Sequence, residues 1–252
     1  MKKIKFYLIL SMIVVLNSCD VLNQIAADID VNAAQTSALT ESEVVRGLKR
    51  ALDIGTETAV SGLAVDNAFY GNAIYKILLP PEAKIITDNK DNSLLKAVGI
   101  DKLISDVELN MNKAAEKAMI KAKPIFIDAI KNMSIQDAFG ILKGGDTAAS
   151  NYLRIKTYNN LFNQFKPEVS KILNQPLVHG ISTEVAWDNL TTAYNGVTVF
   201  MPSWNKINTK LDDYVTTKAL TALFEEVKKE ETKIRKDPAA RVEDILRKVF
   251  GS

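Results

Sequence analysis

The sequence predicts an all-α protein, an irregular multi-helix bundle with one short extended segment near residues 73–79. Three observations carry this. Apolar residues recur at helical spacing through most of the chain after residue 40. Aromatics are only 7% of the residues while alanine is frequent, which favours helices over sheets. No fixed-period repeat appears, which excludes an evident solenoid.

The first helix follows a T-x-x-E capping box at Thr40 and Glu43, with Val44, Leu48, Leu52, Ala59 and Leu63 on one face. Gly55 is expected to interrupt it and Gly62 to end it. Ile74 to Leu79 precede Pro80-Pro81 and read as extended, because a residue before proline avoids the helical region. A short helix is expected near 93–98, ending at Gly99. Asp101 opens a long helix with Leu103, Ile104, Val107, Met111, Ala114, Ala115 and Ala118 inward, broken or restarted at Pro124.

Ser134 and Asp137 cap a short helix that Gly144-Gly145 closes. Asp146 or Thr147 opens the next, which carries Tyr152, Ile155, Tyr158, Phe162 and Phe165 and kinks at Pro167. A further helix is expected over 183–194, then a loop over 195–210 holding Pro202 and Trp204. From Lys210 a long helix turns Leu211, Val215, Ala219, Ala222, Leu223 and Val227 inward. Asp237-Pro238, an N-cap before a first-turn proline, leads Val242, Ile245, Leu246 and Val249 to Gly251.

Ahead of these helices the chain begins MKKIKFYLILSMIVVLNSC. A basic tip of Lys2, Lys3 and Lys5 precedes an apolar run from Phe6 to Leu16, too short for the roughly 20 residues that span a bilayer. This is the pattern of a signal peptide over residues 1–18. Leu16-Asn17-Ser18-Cys19 resembles a lipobox, and Cys19, the sole cysteine, stands where diacylglycerol and palmitate-type acyl chains would be attached. The expected protein is a bacterial envelope lipoprotein, a partner of the membrane through its N-terminal lipid. Several acyl chains hold firmly where one would not, at roughly 0.8 kcal/mol per buried CH₂. The residues after Asp20 lack an acidic cluster, which favours the periplasmic face of the outer membrane, with the inner membrane as the alternative. Residues 19–39 read as the lipidated cysteine and a flexible tether reaching about 25 Å, and residues 40–252 as a single helical domain.

The expected cut removes three lysines and turns a net charge of +2 into about −1. No basic excess remains for nucleic acid. One cysteine permits no internal disulfide.

Catalytic templates fail by absence. His179 is the only histidine, so no zinc or di-iron spacing exists, and no G-x-S-x-G occurs. Gly144-Gly145-Asp146-Thr147 precedes a helix but matches neither G-x-G-x-x-G nor a Walker loop. No cofactor is expected. Asp212-Asp213, Glu225-Glu226 and Glu230-Glu231 lie among Lys and Arg, with Glu225–Lys229, Glu226–Lys229 and Glu231–Arg235 at salt-bridging spacing on a solvated face.

The domain resembles a family of bacterial proteins, the domain-of-unknown-function family 4197, from about Glu43 to Gly251. Gly47-Leu48-Lys49, Ala51-Leu52, Ile77 to Pro80 and the run Met111 to Glu116 carry the resemblance. So do Ile125-Phe126, Asp128 to Ile130, Asp137-Ala138, Ile141-Leu142, Gly144, Ala148-Ala149, Tyr152 and Arg154. The end matches best: Asp213 to Thr216, Ala219-Leu220, Leu223-Phe224, Ile234-Arg235 to Pro238, Ala240-Arg241 and Val249 to Gly251. The chain departs from the family at Asp66-Asn67, where Asp-Gly is common, and at Val242-Glu243, where Thr-Thr is common. The resemblance implies a fold and no reaction.

The candidate ligand-binding residues are the polar ones inside these motifs: Lys76, Asn112, Glu116, Arg154, Arg235 and Arg241. A bundle could aim them into one pocket, where arginines would clamp a carboxylate or phosphate. Otherwise they form internal ion pairs and helix caps. The expected function is a non-enzymatic binding or scaffolding module whose partner is an envelope protein or a small anionic ligand. The alternative is a hydrolase of envelope glycans using paired carboxylates, with Glu116, Asp128 and Asp137 as the groups to test. Lipid carriage, a third reading, would need a cavity that composition does not reveal.

Overall fold

In the computed structural model, which describes residues 39–88, 100–177, 180–199 and 205–251, the apolar periodicity folds into an all-α multi-helix bundle. The helices are α1 (Glu41–Leu63), α2 (Lys84–Asp88), α3 (Ile100–Ala118), α4 (Ala122–Lys131) and α5 (Ile135–Lys143). They continue with α6 (Ala148–Leu173), α7 (Thr183–Thr198), α8 (Leu211–Lys236) and α9 (Asp244–Phe250). The described residues from Ser42 onward form one compact unit. The leader, Cys19, the tether through residue 38, the helix expected at 93–98, His179, Pro202 and Trp204 lie outside the described residues.

Helix α6 is the hub, packed against α8 and α3 and also against α4, α5 and α7. Leu153, Leu161, Phe165, Val169 and Leu173 form its buried stripe. Met111, Ala114, Ala115 and Ala118 of α3 and Val215, Ala219, Leu220 and Leu223 of α8 close on it. Each large aliphatic or aromatic side chain so buried contributes about 1.5–3 kcal/mol. Phe224 sits edge-on to Phe126 at 6.1 Å and stacked with Tyr158 at 6.3 Å, joining α4, α6 and α8.

Several expectations are corrected. Gly55 does not interrupt α1; it is buried within it, beside Glu230 and Ile234 of α8. Pro124 does not make the break after α3. A 3-10 turn at Met119–Lys121 comes first, and Pro124 sits in the first turn of α4, where its missing N–H costs nothing. Ile155 is 82% exposed, because the buried stripe of α6 runs through Leu153 and Thr157, two positions to either side, which puts Ile155 on the opposite face. Helix α6 continues past Pro167 to Leu173, and α7 reaches Thr198. Asp237 caps a 3-10 turn, Pro238–Ala240, and the chain restarts as α9 only at Asp244, leaving Val242 exposed.

Other local readings hold. Ser134 and Asp137 form a reciprocal capping box at the start of α5, which keeps the Asp137 carboxyl below its ordinary range. Among the described residues there is no strand beyond an isolated bridge between Pro176 and Ser182, closed by Gly180 at φ +78°. Among the same residues no helix is long and apolar enough to cross a membrane.

The first turn of α6 is capped from a distance. Thr147 makes no side-chain cap and Asp146 pairs with Lys236 instead. The carboxylate of Glu231 in α8 accepts the N–H groups of Ala149 (2.9 Å) and Ser150 (2.8 Å) and the Ser150 hydroxyl. Arg235 holds that carboxylate at 2.9 Å and donates to the carbonyl of Ile141, at the end of α5. Glu231 is therefore buried at a positive helix end, not part of a solvated face.

Candidate functional site

Between α1 and the 3-10 turn at Pro81–Ala83 that leads into α2 the chain crosses the bundle without regular structure, and its backbone groups must find partners elsewhere. Asn67 takes a left-handed conformation at φ 65°, which asparagine tolerates, so this departure from the family's Asp-Gly leaves the turn possible. The Asn72 side chain accepts the N–H of Ile74 at 2.9 Å, an Asx turn. Tyr75 and Ile77 are then buried while Ile74 and Leu78 are 77% and 54% exposed, the alternation of an extended segment.

Helix α3 fastens this segment with two side chains one turn apart. Glu116 accepts the Phe69 N–H at 3.1 Å. The Asn112 amide accepts the N–H of Ile77 and donates to its C=O, both at 2.8 Å, replacing a neighbouring strand. Asn195 of α7 grips Ile207 in the same way, again at 2.8 Å each.

The segment so held forms one wall of an open groove of about 1080 Å³. Lys84 of α2, Asp101, Ile104, Ser105 and Glu108 of α3, and Tyr214, Lys218, Thr221 and Glu225 of α8 complete it. Three lysines (Lys76, Lys84, Lys218) and three acids (Asp101, Glu108, Glu225) share this lining. Lys76 lies 3.7 Å from Glu108 and 4.0 Å from the centre of the Tyr70 ring, and Lys218 lies 5.5 Å from the Tyr214 ring. Burial, then Glu82 and Glu108, raise the Tyr214 hydroxyl above its ordinary pKa, so it remains a neutral donor.

Leu79 and Ile104 also line a second cavity of about 370 Å³. Its other walls are mainly apolar: Leu103 and Val107 of α3, Leu177 and Ile181, and Ala186, Trp187 and Leu190 of α7. Trp187 donates its indole N–H to the carbonyl of Thr209 at 2.8 Å.

Of the six sequence-chosen residues, only Lys76 lines the groove. Asn112 and Glu116 are fully buried fasteners of the crossing segment. Arg235 is held by Glu231 and Ile141, and Arg241 donates to the carbonyls of Ile234 and Arg235, capping the end of α8. Arg154 is exposed over the Tyr158 and Phe224 rings, 5.7 and 5.8 Å from their centres. They fall into separate networks rather than one anion clamp.

Sequence reasoning missed Glu108, Tyr214 and Lys218. They lie on helices far apart in the chain, and only the Ile74 to Leu79 run, apolar on both faces, hinted at a second apolar surface. The named carboxylates have local partners: Asp128 accepts from Asn132 at 3.0 Å, and Asp137 serves its capping box.

At the other side of Tyr75, its hydroxyl donates to Glu226 and accepts from Lys229 at 2.5 Å. Burial and Glu226 raise this hydroxyl, so it stays protonated rather than becoming a nucleophile. Glu226–Lys229 pairs as its spacing predicts, whereas Glu225 is paired with Lys228. Among the described residues no group of three or more His, Cys, Asp or Glu could hold a metal ion.

No curated protein and no solved structure matches the chain. A family model does, over residues 38–251, and its description is "Protein of unknown function (DUF4197)". The match spans most of the chain, and the protein belongs to that family.

Proposed function

We propose that the protein is an envelope-anchored lipoprotein, lipidated at Cys19, whose helical domain is a non-enzymatic ligand-binding module with its site in the groove along residues 74–81. The observation that carries this reading is the groove itself. Its volume, about 1080 Å³, is at the upper end for small-molecule sites, and it brings ionic side chains of both signs onto walls fixed by buried hydrogen bonds. The anchor rests on the leader and lipobox of the sequence. It would keep the domain within about 25 Å of a membrane surface, on the periplasmic face of the outer membrane.

The test is native mass spectrometry of the full chain, extracted gently from its own membranes. The expected result is a reproducible extra mass beyond the attached lipid, lost in Lys218→Glu. Only the unliganded mass, under conditions that preserve the fold, would overturn the reading. A Cys19→Ala chain tests the anchor separately, since it should lose its lipid mass.

A further inference from the structure

Resting on that reading of the groove, we infer that the ligand is a membrane-type amphiphile, with one acyl chain in the apolar cavity beside α7 and a zwitterionic head in the groove. The juxtaposition of two unlike cavities carries this. Leu79 and Ile104 line both, so the two spaces lie side by side across these two side chains and one molecule laid over them would reach both.

The apolar cavity fits a chain and little else. At the roughly 30 Å³ of a water molecule, 370 Å³ takes about a dozen methylene-sized groups. Its largest polar demand is already met, because Trp187 gives its N–H to Thr209, and Asp106 is paired with Lys102 at 2.8 Å. Water there would find few partners, whereas an alkyl chain needs none. Leu103 and Ile181 stand 42% and 49% exposed at its edge, apolar area that an occupant would cover.

The groove sets the head. Within the lining Lys76 faces Glu108, while Lys84 is held by Asp88 and Glu225 by Lys228, which leaves Lys218 and Asp101 as the charges of opposite sign without an ion-pair partner among the described residues. A head that carries a phosphate and an ammonium together answers both.

The test uses the full chain in vesicles of phosphatidylethanolamine and phosphatidylglycerol. They are doped with a long-chain lysophosphatidylethanolamine bearing a diazirine at the acyl terminus. After irradiation, the labelled residues are located by tandem mass spectrometry. Labels are expected on α3 near Leu103–Val107 and on α7 near Ala186–Leu190. They should fall at least about tenfold in Leu103→Glu and in Ile181→Glu, since a carboxylate beside an alkyl chain is poorly tolerated. Both side chains are about half exposed, so the variants are expected to keep the wild-type melting temperature, which is measured alongside. A monoacylglycerol probe, uncharged at its head, should label about tenfold less.

Labels elsewhere, or labels indifferent to both variants, would overturn the acyl assignment. Equal labelling by the uncharged probe would overturn the head. If native mass spectrometry shows a polar adduct without acyl mass while the probe misses the cavity, the amphiphile falls and the binding module stands. If no adduct appears and the probe does not label, both fall.

Discussion

The side-chain amide of Asn112 pairs with both backbone groups of Ile77, 35 residues away, at 2.8 Å each. It also donates to the carbonyl of Glu108 in its own helix, so both amide donors are engaged and the oxygen accepts one bond. Replacing it by alanine would strand a buried N–H and a buried C=O. Each stranded group costs about 1–3 kcal/mol, so Asn112→Ala should lower stability by about 2–4 kcal/mol in urea titrations. Asn112→Asp keeps the acceptor and loses the donors, and should not restore the loss.

The Glu231–Arg235 pair is predicted to be unequal in its single variants. Glu231→Gln retains an acceptor for one N–H of α6 but removes the buried charge facing Arg235, and should cost about 3 kcal/mol. Arg235→Met alone leaves a buried carboxylate that still has three donors, and should cost less. A double-mutant cycle by chemical denaturation should give a coupling above about 1 kcal/mol.

Glu184 supplies the expected pH dependence. Burial, then Asp212 and Asp188, raise its carboxyl to about 7, and one of its oxygens is buried without a hydrogen-bond partner among the described residues. Between pH 4.5 and 7 the folded state holds this proton and the unfolded state does not, so stability from this group falls as pH rises through that window. Glu184→Gln should raise the melting temperature at pH 7.5 and leave it unchanged at pH 4.5. Partial exposure limits the gain to about 1 kcal/mol.

Gly47 marks the closest approach of α1 to α9, where an added Cβ would lie 2.6 Å from Cγ2 of Val249. Alanine would improve helix propensity by about 1 kcal/mol, yet overpacking against a stiff β-branched side chain costs about 1–3. Gly47→Ala should therefore destabilise in thermal melts, and Val249→Ala in the same chain should relieve part of that loss.

At Asn67 the sign is reversed for the two simplest replacements. Glycine adopts φ 65° freely, so Asn67→Gly should be neutral or slightly stabilising, while Asn67→Val should cost about 1–2 kcal/mol. Thermal melts of the two variants check the difference.

Local chemistry was legible in the chain and distant chemistry was not. The capping box at Ser134 and Asp137 needs only three residues of context, and the buried faces of α8 and of α3 from Val107 onward follow from their spacing alone, although Leu103, expected inward, is exposed. Glu231–Arg235 also reads as a pair at i,i+4, but its burial comes from residues 81 and 82 positions earlier, so spacing alone placed it on the surface. Gly55 looked like a helix breaker because the packing of α8 against α1, which buries it inside a continuous helix, comes from residues far along the chain. The groove was hidden for the same cause. Its walls come from residues 74–81, 101–108 and 214–225, and nothing within any one of them announces a concavity.

The borrowed cap on α6 has a consequence for the order in which the chain can become native. The first turn of the hub helix is completed by a carboxylate synthesised more than eighty residues later. Until α8 has docked, the N–H groups of that turn have only water as partners. A chain ending before residue 231 therefore lacks the group that finishes its own centre. Full assembly is then coupled to full length, so premature termination products should be recognised by proteases through a frayed α6 rather than through a missing tail.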